Sequence, residues 1–154
     1  MKVTFAIILL FICSGCMIKY VPPSEGPTAS INFKNDSRGK ILISFYEKSS
    51  QCERKRYTPL MKRNSNASHI TYADKELTFE YIMLADGMYC KENLRFYPEK
   101  DHKYLFRTTY GANKCLWIME DITQEKNPKQ VKLSQISWKQ GWHEDGSFCR
   151  ENSQ

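Results

Sequence analysis

A chain of 154 residues has room for one domain and little more. Hydrophobic residues make up 41% and aromatics 13%, enough for a core, while 7 Gly and 6 Pro exclude collagen-like, low-complexity and wholly disordered chains. The formal charge of +6 points toward anionic partners and names no reaction.

The first segment carries Lys2, an unbroken apolar run from Phe5 to Ile12, then Ser14 and Gly15 before Cys16, a signal-peptide pattern. The run is too short for a bilayer core of about 30 Å, and Lys19 and the prolines beyond it block its extension. Cys13-Ser14-Gly15-Cys16 resembles a bacterial lipobox, with Cys13 where that motif usually has Leu. The resemblance implies cleavage before Cys16 and acylation of Cys16 by palmitate-like chains, an anchor that needs no transmembrane helix. Met17 in place of the Asp that retains lipoproteins in the inner membrane implies sorting to the outer membrane, facing the periplasm. Ordinary secretion with Cys16 as a plain thiol is the alternative. Lys19 to Pro27 holds three Pro and one Gly, a composition suited to an extended tether. The expected division is therefore a signal over 1–15, lipidated Cys and tether over 16–27, and a folded domain with an irregular C-terminal tail over 28–154. Of the charged residues only Lys2 lies in 1–15, so the domain stays basic.

From Thr28 the chain alternates. Ala29, Ile31 and Phe33 face one way, and after turn residues 35–39 Ile41, Ile43 and Phe45 repeat the pattern, so these two strands are expected to pair as an antiparallel hairpin. Residues 47–66 read as irregular, with one short strand around 57–61. Alternation returns in Leu77 to Met83, Leu94 to Phe96, Tyr104 to Thr108, and Leu116 to Ile122, and Val131 with Leu133 offers a last strand. Gly, Pro and Asn punctuate these runs at a spacing of about ten residues. The pattern predicts an all-β fold, a small antiparallel β-sandwich of Ig-like or transthyretin-like plan, with an up-and-down barrel as the other possible closure.

With Cys13 in the signal and Cys16 at the lipid site, Cys52, Cys90, Cys115 and Cys149 remain, an even number in an exported chain. Three connectivities are open. The strand after Cys90 runs to the Pro98 turn, the next returns to Tyr110, and the strand opened by Cys115 starts at the edge that Cys90 left, which favours Cys90 with Cys115 and leaves Cys52 with Cys149. None of the four lies beside a His or near another Cys, so no metal or cofactor is expected.

His143-Glu144-Asp145-Gly146-Ser147 gathers an acid, a His and a Ser without the elbow that presents a nucleophile, and Glu120 and Asp121 point to opposite faces of a strand. No enzyme activity is expected. Arg54, Lys55, Arg56, Lys62 and Arg63 put five cations in ten residues, a candidate site for phosphate or carboxylate polymers or, more plainly, a solvated loop. Trp138 and Trp142, near His143, are candidates for a partner-binding platform or a cap on the sandwich. Asn35 and Asn66 stand in N-x-S sequons.

From Tyr20 onward, Val21-Pro22-Pro23, Gly26-Pro27-Thr28-Ala29, Cys90 before Phe96-Tyr97-Pro98, and Cys115 opening a strand that ends in Glu120-Asp121 resemble a group of uncharacterised bacterial lipoproteins. A looser similarity in plan links the chain to secretion-system lipoproteins with a transthyretin-like fold. The resemblance implies a lipid-anchored envelope protein that binds or scaffolds. Its expected partners are the membrane and an envelope protein or anionic glycan or lipid, with nucleic acid excluded by compartment. Inhibition of a cell-wall-degrading enzyme is the alternative function, although like charges would slow encounter with a cationic lysozyme.

Overall fold

The computed structural model describes residues 17–85, 87–111, 114–139 and 146–149, with backbone alone at 88, 109–111 and 114–115. The chain forms β1 (Thr28–Asn35), β2 (Lys40–Lys48), β3 (Glu53–Tyr57), β4 (Asn66–Tyr72), β5 (Leu77–Ala85), β6 (Met88–Phe96), β7 (Lys103–Gly111), β8 (Lys114–Asp121), β9 (Lys129–Gln130) and β10 (Ser134–Ile136). They make two five-stranded sheets, β4-β1-β7-β8-β9 and β10-β6-β5-β2-β3. The fold is the small all-β sandwich, and the barrel is set aside. Every pairing is antiparallel except β1 with β7, which run parallel with Phe33 opposite Phe106.

The alternating residues of the two sheets meet in a dry interior. Ile31, Phe33, Phe106 and Met119 from the first sheet lie against Ile43, Phe45, Phe79, Tyr81 and Leu94 from the second, and all are essentially inaccessible. Phe79 stands at the centre, its ring 5.6 Å from that of Phe33 and 5.3 Å from that of Phe106, both edge-on as aromatic quadrupoles prefer.

The expected β1–β2 hairpin does not form. β1 pairs with β4 and β7, β2 with β3 and β5, and residues 35–39 turn the chain from one sheet to the other. Alternation reports which side chains avoid water, and two strands facing each other across a core alternate just as two neighbours do. The corner is fixed by Asn35, which is fully buried. Its amide nitrogen donates to the carbonyls of Gly39 at 3.0 Å and Lys62 at 2.9 Å, and its oxygen accepts from the Ser37 backbone at 3.0 Å. With its amide committed in the interior, Asn35 offers nothing to a glycosylating enzyme. Gly39 passes so close to β5 that an added Cβ would lie 2.1 Å from the Leu84 carbonyl oxygen.

Two strands, β3 and β4, lie between β2 and β5 in the chain, where residues 47–66 read as irregular with one short strand. The strand expected at 57–61 is instead β3 at 53–57, and Met61 makes only an isolated bridge with Ile41. β4 carries few apolar residues facing inward: Ala67, His69 and Thr71 face Phe33, Ile31 and Ala29 across the ladder, while Ile70 and Tyr72 are exposed. A strand with its apolar side chains outward cannot be found by hydrophobic alternation.

The segment before β1 is docked rather than hanging clear of the domain. Tyr20 N–H donates to the Tyr57 carbonyl and Tyr57 N–H to the Ile18 carbonyl, each at 2.9 Å, so residues 18–20 extend the second sheet alongside β3. The Tyr20 ring lies 4.4 Å from Phe45 and its hydroxyl donates to the Ile70 carbonyl at 2.8 Å, which ties the segment to β4 as well. Burial, aided by neighbouring Tyr72, raises the Tyr20 pKa well above the usual phenol value. Among the described residues no helix is long and apolar enough to cross a membrane.

Candidate functional site

The five-cation cluster divides into three environments. Lys55 is opposite Tyr46 on β2 and projects from the outer face of the second sheet, where the C-terminal segment covers it. Its ammonium lies 2.9 Å from both oxygens of the fully buried Glu80 and 3.8 Å from the Phe148 ring centroid. Lys55 is therefore not a surface cation and leaves the candidate anion site; a buried charge is retained only where a counter-charge and hydrogen bonds hold it.

Around this pair lies a second, smaller interior. Tyr46 donates to Asn93 Oδ1 at 2.9 Å, and burial, followed by nearby Glu80, raises its pKa strongly. Asn93 donates to the Phe148 carbonyl at 3.3 Å. Lys91 reaches Glu80 at 3.4 Å and stands 3.4 Å over the Trp138 ring; burial lowers its pKa against the pull of Glu80. Trp138 is thus half-buried on the sheet's outer face, packed on a cation, rather than an open platform at the end of the sandwich. Trp142 and His143 lie outside the described residues.

The cover is held by the Cys52–Cys149 disulfide, Cα to Cα 5.5 Å, which joins the β2–β3 loop to the tail. Phe148 N–H donates to the Cys52 carbonyl at 3.0 Å, and Ser147 Oγ to the Gln51 carbonyl at 2.7 Å. Cys90 is disulfide-bonded as well. Its expected partner, Cys115, has a side chain outside the described set.

Arg54 and Arg56 share Glu47: Arg56 Nε is 2.6 Å from one carboxylate oxygen and Arg54 3.6 Å from the other. Lys62 and Arg63 are exposed and join two cations that the sequence reading did not single out, Arg38 and Lys40. The four surround an open hollow of about 440 Å³ whose apolar wall is Leu84 and Ala85, and no acid lines it among the described residues. The corner held by Asn35, which bonds both Gly39 and Lys62, is what brings the two cation pairs together. That signal could have been found by counting Arg38 and Lys40 as flanks of a turn.

A second constellation missed in the sequence is His102 with Asp121. His102 Nδ1 is 2.7 Å from Asp121 Oδ2, while the other carboxylate oxygen accepts from Thr123 N–H at 2.9 Å and Oγ at 2.6 Å. Burial pulls the Asp121 pKa up, but the bonds from Thr123 and then His102 outweigh it and leave the carboxyl below its usual value. The geometry resembles the orienting half of a triad, yet among the described residues the only hydroxyl lining its hollow of about 90 Å³ is that of Thr123, which donates to Asp121 and accepts from the Lys103 N–H at 2.9 Å, tying the end of β8 to the start of β7. Glu120, on the opposite face, pairs with Arg107. Among the described residues no group of three or more His, Cys, Asp or Glu is placed to hold a metal ion.

A groove of about 690 Å³ lies where the chain enters the domain, between residues 18–21, the end of β2 and the β4–β5 turn. No family model matches the sequence, and no curated protein or solved structure matches it either. The likeness to bacterial lipoproteins thus stands on the sequence features themselves.

Proposed function

We propose that the chain is a lipid-anchored bacterial envelope protein, sorted to the outer membrane, that acts by binding an anionic envelope polymer rather than by turnover. The observation that carries this reading is the hollow ringed by Arg38, Lys40, Lys62 and Arg63. Two separate segments deliver four cations to one place beside an apolar wall, an arrangement that favours a phosphate- or carboxylate-bearing chain over a small neutral ligand. Position supports it too. Residues 18–20 run parallel to β3, so the chain arrives from the Glu53 end, beside Lys48, whereas the hollow lies at the Lys40 end of β2. Eight residue steps of β2 separate those ends by about 26 Å. An anchor at Cys16 then leaves the basic end turned away from the membrane, toward the cell wall.

The test is co-sedimentation of the detergent-solubilised full-length protein with purified cell-wall sacculi. Binding is expected to weaken steeply with added salt, because exposed charges are screened over about 8 Å at physiological ionic strength. The Arg38→Glu, Lys62→Glu, Arg63→Glu triple variant is expected to lose it, and Arg54→Glu, on the Glu47-paired edge, to keep it. Salt-insensitive binding, or equal binding by the triple variant, rejects the reading.

A further inference from the structure

We infer that the face around the chain entry is a membrane-contact surface and that the domain lies against the bilayer instead of standing off on a tether. The inference rests on the reading of Cys16 as the lipidated residue. Ile18 is already bonded to Tyr57, and only Met17 separates it from Cys16. Two residue steps span at most about 7 Å, so acyl chains on Cys16 would bring this edge of the domain into the headgroup layer. A free tether of twelve residues would have imposed no such constraint.

The surface at that point has the composition of an interfacial site. Val21 is 78% exposed, Met17 55%, and Ile18 and Tyr72 43% each. Ile18, Val21 and Tyr72 line one groove with Lys19 and Lys75, its acids Glu47 and Glu76 are paired with Arg56 and Arg95, and the Lys75 ammonium sits 3.4 Å over the Tyr72 ring. Aromatic and aliphatic side chains gain by leaving water at the acyl boundary, and a lysine is drawn to an anionic leaflet. The opposite end presents four cations around Leu84, which is exposed beside Tyr89; what sets the entry face apart is its distance of two residues from Cys16.

The experiment uses the full-length protein in its own membranes, with a phospholipid carrying a photoactivatable group near the headgroup, followed by peptide mapping. Several-fold more crosslinking is expected at Ile18, Val21 and Tyr72 than at Leu84 and Tyr89, which are also exposed. The same maps report the mass of the Cys16 peptide. An acylated Cys16 with label no higher at the entry face than at Leu84 and Tyr89 overturns the contact surface and leaves the anchor standing. An unmodified Cys16 overturns the anchor, and the contact surface falls with it.

Discussion

The molecule has two interiors built on opposite faces of one sheet. Between the sheets, Phe33, Phe45, Phe79 and Phe106 exclude water with no charged partner among them, whereas beneath the tail Lys55, Glu80, Tyr46 and Asn93 are as fully buried but bonded to one another. The first is held by area and interlocking shape, and each side chain adds its share. The second is held by complementarity: Lys55 without Glu80 would be a stranded charge, and the covering tail is tied down by its disulfide to Cys52. Burial alone therefore does not say what kind of core a residue belongs to.

The largest effect is expected from the first interior. Phe79→Ala opens a cavity at the meeting point of both sheets and is expected to cost about 4 kcal/mol of unfolding free energy, measured by urea denaturation. A loss similar to that of a surface substitution would mean that the two sheets collapse around the gap and are not interlocked. The second interior predicts non-additivity. Lys55→Met leaves Glu80 buried with Lys91 and the Tyr46 hydroxyl as its partners and is expected to cost about 3 kcal/mol, at the low end for a broken buried pair. Adding Glu80→Leu should recover most of that loss, because a buried pair replaced by apolar groups of similar size is often neutral. If the two losses add instead, the pair is not the unit that the geometry describes.

The same contrast explains what could be read from the sequence. β1, β2 and β5 to β8 follow from alternation because their inward residues are the apolar ones, and Ile31, Phe33, Ile43 and Phe79 are core residues as that pattern requires. Partner strands did not follow, because Ile41 to Phe45 alternates identically whether its neighbour is β1 or β5. β3 was hidden by its charges: Glu53-Arg54-Lys55-Arg56 reads as a solvated loop until the tail covers one side chain and Glu47 binds two others. The cysteines carried the long-range information that periodicity lacks, since the bond from Cys52 to Cys149 spans 97 positions. For the basic site, Lys62 and Arg63 were visible as cations, but their meeting with Arg38 and Lys40 depends on the Asn35 corner, a tertiary fact.

A smaller effect probes a histidine at the edge of the aromatic interior. His69 packs among Tyr20, Phe33 and Phe45 with ring centroids about 6 Å away, and its Nε2 has no hydrogen-bond partner among the described residues. Burial lowers its pKa, so the folded state resists protonation that the unfolded chain accepts. Above the unfolded value of about 6.5 the group is neutral in both states and costs nothing. As pH falls below that value the unfolded state binds the extra proton, and stability declines until the folded pKa is reached. The melting temperature is expected to drop between about pH 7 and pH 5 in the wild type, and this part of the drop is expected to be absent in His69→Gln. An identical pH profile for the variant would show that His69 is not the acid-sensitive element.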